Sequence, residues 1–281
     1  MSGAEKLYCA EKWIGAERGL KRPSGAAFDK NGETLYLCDM ENSRIAVFHL
    51  PDCDFRTLGA SCEHPGKDRP RKPLALSVKN GLLAVTDAEE NAVYLYDGKD
   101  GWRRLRTGRR LTLRLPGAIA WGEEDTIYVA DFLNKRICEG GIKREMSVLR
   151  GIPCGEPYGL YYTEGILYVA DAFFGCIRQY HTKTGELHTL SLHGHRPISV
   201  TADRTGHIWF SETRALFRLD PEGDRIEVAA DRRSFRDWGF GRPGHLGSVT
   251  PLPDGRIVFT DTLTHCVYCL TPPDISEENT D

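Results

Sequence analysis

The sequence predicts an all-β protein that folds as a six-bladed β-propeller with four-stranded blades, and three observations lead to this fold. One pattern of short apolar runs and turns recurs six times along the 281 residues. Its period of roughly 40 to 50 residues is typical of propeller blades. Glycine, proline and turn pairs such as Asn31-Gly32 punctuate the copies, so no long helical period of apolar residues remains.

Each copy supplies three strands, which we call a, b and c in chain order. Strand a opens with proline or a small residue, strand b ends in an acid, and strand c follows a short loop. The copies begin at Pro23, Pro73, Pro116, Pro157, Pro197 and Ser248. The closing acids of strands b are Asp39, Asp87, Asp131, Asp171, Glu212 and Asp261. Strands c are expected to begin at or near Ile45, Val93, Ile137, Ile177, Leu216 and Val267.

A fourth strand, d, is predicted in the gap after each of the first five copies, around 55–58, 102–105, 146–149, 187–190 and 225–228. The sixth copy has none, because the chain continues into Thr271-Pro272-Pro273. An N-terminal run over residues 6–14 precedes the first copy as a strand d would. We expect it to complete the last blade and close the ring, which pairs an otherwise bare sheet edge. The predicted domain spans residues 1–273, and residues 274–281 are an acidic tail expected to be disordered.

Two copies carry a short motif after the acid of strand b. It reads Asn42-Ser43-Arg44-Ile45 in the first copy and Asn134-Lys135-Arg136-Ile137 in the third. With this motif the chain resembles the NHL-repeat family of six-bladed β-propellers over nearly its whole length. The resemblance implies the fold, whereas function has to be argued from a site. The fifth copy departs from the pattern, since Glu212 is followed by neither asparagine nor arginine at the usual positions.

The repeated acids are interpreted as structural. A carboxylate at the end of strand b can accept hydrogen bonds from backbone N–H groups of the next turn. It can also pair with an arginine at the far end of the loop, as Asp39 with Arg44 or Asp131 with Arg136. A direct chemical role for any one of the six acids is the less favoured alternative.

Composition indicates a protein without a membrane span or a cofactor. The net charge of −3 points to no particular class of partner. No apolar run approaches the roughly 20 residues that cross a bilayer, and the N-terminus has no signal-peptide core, so we expect a cytoplasmic protein. The nine cysteines lack framework spacing and are expected to be reduced. Cys266 and Cys269 fall on opposite faces of a strand, which favours packing over a metal site.

A propeller gathers its b–c loops and its d–a connectors on one face, here called the top. When the formal charges of the loop residues are summed for each face, the top is net positive and the underside net negative. The top could therefore steer an anionic partner. Exposed aromatic side chains beside arginines are common in protein interfaces and in single-stranded nucleic-acid sites. The candidate partner-binding residues are Phe132, Leu133, Phe173, Phe174, Trp238, Phe240, Arg106, Arg109, Arg110, Arg236 and Arg242.

The function predicted from this surface is a non-catalytic scaffold that binds a protein partner and is monomeric by itself. Single-stranded RNA bound to the same face is an alternative, implied by the resemblance to RNA-binding NHL proteins. A third possibility is that the aromatic side chains simply pack beneath neighbouring loops.

An enzyme that works in the central channel is the remaining alternative. Some six-bladed propellers are metal-dependent hydrolases, lactonases or lyases with a channel metal held by acidic, amide or imidazole side chains. The starts of strands a contribute no carboxylate and no imidazole; they are Ser24, Leu74, Gly117, Tyr158, Ile198 and Gly247. His245 lies nearby but alone, and His193 and His195 lack a third ligand. The chain is also similar in repeat type to peptidylglycine amidating lyases, but it lacks their channel histidines. We therefore favour a protein without catalytic residues or a metal.

Overall fold

Six sheets of four antiparallel strands surround a central channel in the computed structural model, which describes residues 8–59, 69–98 and 101–273. This confirms the predicted fold. The strands are β1 (Cys9–Ile14), β2 (Pro23–Phe28), β3 (Thr34–Asp39), β4 (Arg44–His49), β5 (Asp54–Gly59), β6 (Pro73–Lys79), β7 (Leu82–Asp87), β8 (Ala92–Tyr96), β9 (Trp102–Arg104), β10 (Pro116–Trp121), β11 (Thr126–Asp131), β12 (Arg136–Gly141), β13 (Ser147–Val148), β14 (Pro157–Thr163), β15 (Ile166–Asp171), β16 (Cys176–His181), β17 (Leu187–Ser191), β18 (Ser199–Ala202), β19 (Ile208–Glu212), β20 (Ala215–Leu219), β21 (Ile226–Ala230), β22 (Leu246–Pro251), β23 (Ile257–Asp261) and β24 (Cys266–Thr271).

The N-terminal strand closes the ring. Blades one to five each use four consecutive strands, whereas the sixth sheet has the order β1-β24-β23-β22. Strand β1 pairs antiparallel with β24, so that Cys9 lies opposite Thr271 and Lys12 opposite Tyr268. The guanidinium of Arg256 lies over the ring of Trp13 at 5.2 Å from its centroid. Residues 6–7 of the predicted strand and the acidic tail 274–281 fall outside the described residues.

The innermost strand of each blade contacts the innermost strands of both neighbours, in a closed circle. Close approach requires small side chains. Counted from Pro23, Pro73, Pro116, Pro157, Pro197 and Leu246, the third residue of each inner segment is small: Gly25, Ala75, Ala118, Gly159, Ser199 and Ser248. A Cβ atom added at Gly25 would lie 2.7 Å from the Cα of Ala75, and one at Gly159 would lie 2.8 Å from the Cα of Ser199. The backbones of adjacent blades therefore nearly touch around the channel.

The apolar core is divided among the six junctions between blades. Trp209 and Phe210, both fully buried, point to opposite faces of β19, the first into the junction with blade six and the second into that with blade four. Cys266 and Cys269 divide in the same way over the two faces of β24, and burial raises the pKa of the Cys269 thiol to about 12. Each large apolar side chain buried in this way contributes about 1.5–3 kcal/mol to stability.

One short α-helix, α1 (Arg232–Asp237), interrupts the connector into blade six and was not predicted from the sequence. Asp231 caps it by accepting hydrogen bonds from the backbone amides of Arg233 and Ser234, both at 2.9 Å. The bond from the Ser234 amide lowers the pKa of the Asp231 carboxyl. Three further residue triplets form 3₁₀ turns: Ala16–Arg18, Met40–Asn42 and Phe132–Asn134. In the part of the chain that the structure describes, no helix is long and apolar enough to span a bilayer.

Candidate active site at the top of the central channel

The central channel is the large cavity of the molecule, with a volume of about 1580 Å³. Residues from the inner strands of all six blades line it. These include the whole ring named from the sequence: Ser24, Leu74, Gly117, Tyr158, Ile198 and Gly247. Concave sites of this kind are where small ligands bind in proteins.

At the underside end of the channel, charged side chains are bound into turns. Asp29 accepts hydrogen bonds from the backbone amides of Glu33 and Thr34, at 2.9 and 3.1 Å. Asp203 accepts a bond of 2.8 Å from the indole Nε1 of Trp209. The ammonium group of Lys79 donates to the backbone carbonyl oxygens of blade three. These groups hold the β-turns together, while Lys30, Glu164 and Arg204 also line this end; the imidazole of the channel wall, that of His245, lies at the top end.

Five of the six acids that close strands b are fully buried and clamp the connector to the sheet: Asp39, Asp87, Asp131, Asp171 and Asp261. Asp131 shows the arrangement. Its carboxylate accepts hydrogen bonds from the backbone amide of Arg114 at 2.7 Å, from Nδ2 of Asn134 at 2.8 Å and from Nε of Arg136 at 2.8 Å. Asp39 accepts the equivalent bonds from Lys21, Asn42 and Arg44. With their oxygens occupied, these acids serve the fold.

Glu212, the sixth acid, differs because its side chain is 28% exposed and lines the channel. Its Oε1 accepts a hydrogen bond from the backbone amide of Arg196 at 2.6 Å. Nδ1 of His195 lies 3.1 Å from the same oxygen, and since a carboxylate only accepts, Nδ1 carries the proton and donates it. Oε2 receives no hydrogen bond from any residue that the structure describes. One oxygen is therefore fixed and the other is free to take a proton.

His195 holds Glu212 from behind rather than from the channel side. Its ring packs edge-on against Phe217, with 4.5 Å between the ring centroids, and lies 5.7 Å from Phe210. It is absent from the channel wall, whereas Arg196, the next residue, is part of it. His195 is thus a positioning residue for the carboxylate.

His245 faces the channel from blade six, next to the segment that carries Glu212. Its backbone amide donates to Asp261 at 2.9 Å, and its carbonyl oxygen accepts a bond from the amide of Thr262 at 2.9 Å. The amide of Leu246 donates to the carbonyl oxygen of Thr213 at 2.9 Å, which ties the two blades together at this level. Nδ1 of His245 is buried and has no hydrogen-bond partner among the described residues. A buried nitrogen without a partner carries an uncompensated desolvation cost, while the His245 residue itself lines the channel.

Three arginines lie at the same end of the channel, and two of them are paired with acids. Arg22 lies 3.4 Å from the carboxylate of Glu41, and Arg196 lies 3.0 Å from that of Glu156. Arg214 lines the channel two residues beyond Glu212, and no ion pair is found for it in the described parts of the chain. The guanidinium group of Arg214 can therefore attract an anion to this wall.

The metal-dependent form of the enzyme alternative does not fit these residues. Within the described ranges, no group of three or more histidine, cysteine, aspartate or glutamate side chains is placed to hold a metal ion. The buried acids are occupied by hydrogen bonds to the protein, and Glu212 is held by Arg196 and His195.

The structure disperses the eleven partner-binding candidates. Leu133, Phe173 and Phe174 are exposed by 49%, 61% and 55%, while Phe132 turns into the channel. Trp238 and Phe240 pack against the apolar cluster between blades five and six. Arg236 pairs with Asp237 at 3.4 Å and Arg242 is exposed. Whether these residues bind a partner stays a prediction.

Arg106, Arg109 and Arg110 are exposed but none of them lines the channel. Their connector bridges from Thr107 to Met146, beside the outermost strand of blade three. These three arginines miss the channel because a d–a connector starts at the outer edge of one blade. It reaches the axis only where the next strand a begins.

The channel-lining positions predicted from the sequence therefore lay slightly too far along the chain to include the charged residues. The residues directly before the inner segments include Arg22, Leu115, Arg196 and His245, and all four line the channel. Side chains at positions i and i+2 of an extended segment share a face. Reading the ring two residues earlier gives Arg22, Lys72, Leu115, Glu156, Arg196 and His245, of which all but Lys72 and Glu156 line the channel. The glutamate in place of aspartate at position 212 was a second usable signal.

Comparison with known proteins supports the fold and redirects the function. Neither a family model nor a curated protein sequence matches this chain. Among solved structures, a streptogramin B lyase is similar with a TM-score of 0.67 and 14% identity over 96% of this chain and 100% of its own. A virginiamycin B lyase from Staphylococcus aureus gives 0.65 and 14%, over 94% and 99%. A gluconolactonase from Xanthomonas campestris gives 0.70 and 16%, over 90% and 87%.

These similarities correct the predicted function. The solved structures just described are those of enzymes, two lyases and a lactonase, so the prediction of a non-catalytic scaffold is wrong, and nothing supports the RNA-binding alternative. The physical reason for the error is that the starts of strands a were taken as the channel wall, whereas residues of the adjoining loops also line the channel. The structure instead shows a deep channel, with Glu212, His245 and the arginines at its mouth.

Proposed function

We propose that this protein is an enzyme that opens the ester ring of a lactone by hydrolysis at the top end of its central channel. The observation that carries the proposal is Glu212, the strand-b acid whose carboxylate faces the channel with one oxygen fixed and the other free. A positioned base, a second proton-transfer group and cationic donors in one cavity are the parts that acyl transfer needs.

In the proposed reaction Glu212 is the general base. Its free Oε2 takes a proton from a water molecule as that water adds to the carbonyl carbon of the lactone. Negative charge then develops on the carbonyl oxygen, where the guanidinium group of Arg214 stabilises it. His245 gives a proton to the ring oxygen as the carbon–oxygen bond breaks. The product is a hydroxy acid, and the proton held by Glu212 returns to His245 through solvent.

Hydrolysis of a panel of lactones tests the proposal. Purified protein is mixed with five- and six-membered lactones of neutral and anionic type, and acid release is followed by pH-stat titration. Glu212→Gln keeps an oxygen that can accept the Arg196 amide but removes the base, and we expect about a 10²–10⁴-fold loss of kcat. Glu156→Gln is the matched control, because Glu156 pairs with Arg196 but does not line the channel.

The outcomes separate hydrolysis from other chemistry. Incorporation of ¹⁸O from labelled water into the product carboxylate supports hydrolysis, whereas an unsaturated product without ¹⁸O means elimination and overturns the lactonase proposal. A Glu212→Gln variant that retains wild-type kcat removes the assigned base. Absence of turnover with every lactone in the panel would also contradict the proposal.

We also infer that the repeats are of the NHL type, a narrower statement than the propeller fold. Support comes from the Asn-x-Arg motif, in which both side chains bind the acid of strand b. Asn42 and Arg44 bond to Oδ2 of Asp39 at 2.8 and 2.6 Å, and Asn134 and Arg136 bond to Oδ2 of Asp131 in the same way.

A further inference from the structure

The top mouth of the channel has two unlike walls. Among the described residues, blades five, six and one supply all its charged side chains and its imidazole, namely Arg196, Glu212, Arg214, His245 and Arg22, together with the apolar Met40 and Leu263. Blades two, three and four supply side chains that are almost all apolar: Leu74, Leu115, Phe132, Tyr158 and Ala172. A ligand that spans the mouth would therefore meet charge on one side and hydrocarbon on the other.

Two aromatic rings form the centre of the apolar wall. Phe132 and Tyr158 lie with 4.3 Å between their ring centroids and a tilt of 43°. Tyr158 is 37% exposed although it lies in the channel wall, so its ring presents free surface to a ligand. Burial, followed by the nearby Glu156 carboxylate, raises the pKa of the Tyr158 hydroxyl. The rings come from adjacent blades, and no charged side chain lies between them.

The backbone leaves room beside this pair. Gly117 lies next to both rings, and a Cβ added there would meet the Cβ of Phe132 at 3.6 Å and the carbonyl oxygen of Tyr158 at 3.8 Å. Both distances are ordinary van der Waals contacts. One methyl group at position 117 would therefore fit beside Phe132 and the backbone of Tyr158 without displacing either.

From the two walls we infer the substrate class: an anion that carries an aromatic ring. This inference rests on the proposed function and deepens it. The ring would stack on Phe132 and Tyr158, where aromatic pairs prefer centroid separations of about 4.5–7 Å. The negative group would lie against Arg214 and Arg196, and the bond to be cleaved would then fall between the walls, near Glu212 and His245.

Binding of three small probes tests the inference without turnover. The probes are 3-phenylpropionate, its neutral alcohol 3-phenylpropan-1-ol, and the aliphatic anion hexanoate, titrated into wild-type protein and followed by calorimetry or ligand-observed NMR. We expect 3-phenylpropionate to bind most tightly. Phe132→Ala should weaken it about two- to tenfold without weakening hexanoate equally. Arg214→Gln should weaken both anions about three- to tenfold and leave the alcohol unchanged.

Matched controls lie outside the channel. Phe173→Ala removes an aromatic ring that is 61% exposed, and Arg110→Gln removes an exposed arginine; neither should change any of the three affinities. Equal affinity of wild type for all three probes, or no binding of any, overturns the substrate class even if lactones are hydrolysed. Selective binding of 3-phenylpropionate without hydrolysis of any lactone supports the substrate class and refutes the proposed reaction instead.

Discussion

At the scale of single residues, one methylene group separates a structural acid from a chemical one. Asp131 is fully buried and accepts three hydrogen bonds from its own blade. Glu212 occupies the same place in the repeat, yet its longer side chain reaches into the channel and leaves one oxygen without a partner. The same repeat position thus clamps the connector in five blades, whereas in blade five it presents a carboxylate to the channel.

The buried clamp should matter strongly for stability. Replacing Asp131→Ala leaves the guanidinium of Arg136 and the amide of Arg114 without their acceptor, so we expect the free energy of unfolding to fall by about 3–5 kcal/mol. Urea denaturation followed by tryptophan fluorescence measures this change. Glu145→Ala, an exposed substitution without a hydrogen bond or ion pair among the described residues, should stay within about 0.5 kcal/mol of wild type. Equal effects of the two substitutions would refute the clamp.

At the scale of strands, the inner segments are spaced by backbone contact rather than by side chains. A Cβ added at Gly25 would meet the backbone of Ala75 and Leu74 in blade two. Backbone cannot move aside as a flexible side chain can. The small third residue of each inner segment is therefore what allows six strands to surround one channel.

Replacing Gly25→Ala should consequently force blades one and two apart. We expect it to lower the free energy of unfolding by about 1–3 kcal/mol, which is measurable as a lower Tm in calorimetry. Gly117→Ala is the matched control in blade three, because its added Cβ meets only ordinary contacts at 3.6 Å or more. A Gly25→Ala protein as stable as Gly117→Ala would show that the blades can readjust without strain.

The strands were predictable from sequence because each is marked locally. Apolar runs, turn glycines and the closing acids repeat in every blade, and even the N-terminal strand followed from the missing fourth strand of the last copy. Helix α1 was missed, although Asp231 and Ser234 form a recognisable capping box. The site was missed for a non-local reason: whether Arg196 or Arg110 reaches the axis depends on where its connector crosses the blade, which no residue pattern states.

At the scale of the whole molecule, the ring is closed by one strand from the far end of the chain. Strand β1 covers the edge of β24, and Tyr8, which precedes it, packs edge-on against Trp209 with 6.1 Å between the ring centroids. The Tyr8 hydroxyl donates to Glu227 of blade five at 3.0 Å. The N-terminal segment thus completes the sheet of blade six through β1 and contacts blade five through Tyr8.

Deleting residues 1–15 should open the ring. The bare edge of β24 then offers unpaired backbone groups to a second molecule, so we expect a lower Tm together with concentration-dependent association in light scattering. Lys12→Ala, which changes an exposed side chain of β1 but keeps the strand, should behave as wild type. A truncated protein that remains monomeric with an unchanged Tm would mean that the pairing of β1 with β24 is dispensable.

The pairing of β1 with β24 also limits when the ring can close during synthesis. Ribosomes extend chains at about 5–20 residues per second, so the roughly 260 residues between the two partners take on the order of 13–50 s to appear. Throughout that interval β1 has no pairing partner while the strands that follow it are synthesised. The ring can therefore close only after β24 has been synthesised, and a nascent chain stalled before β24 would expose the unpaired edges of β1 and of the last completed blade to chaperones.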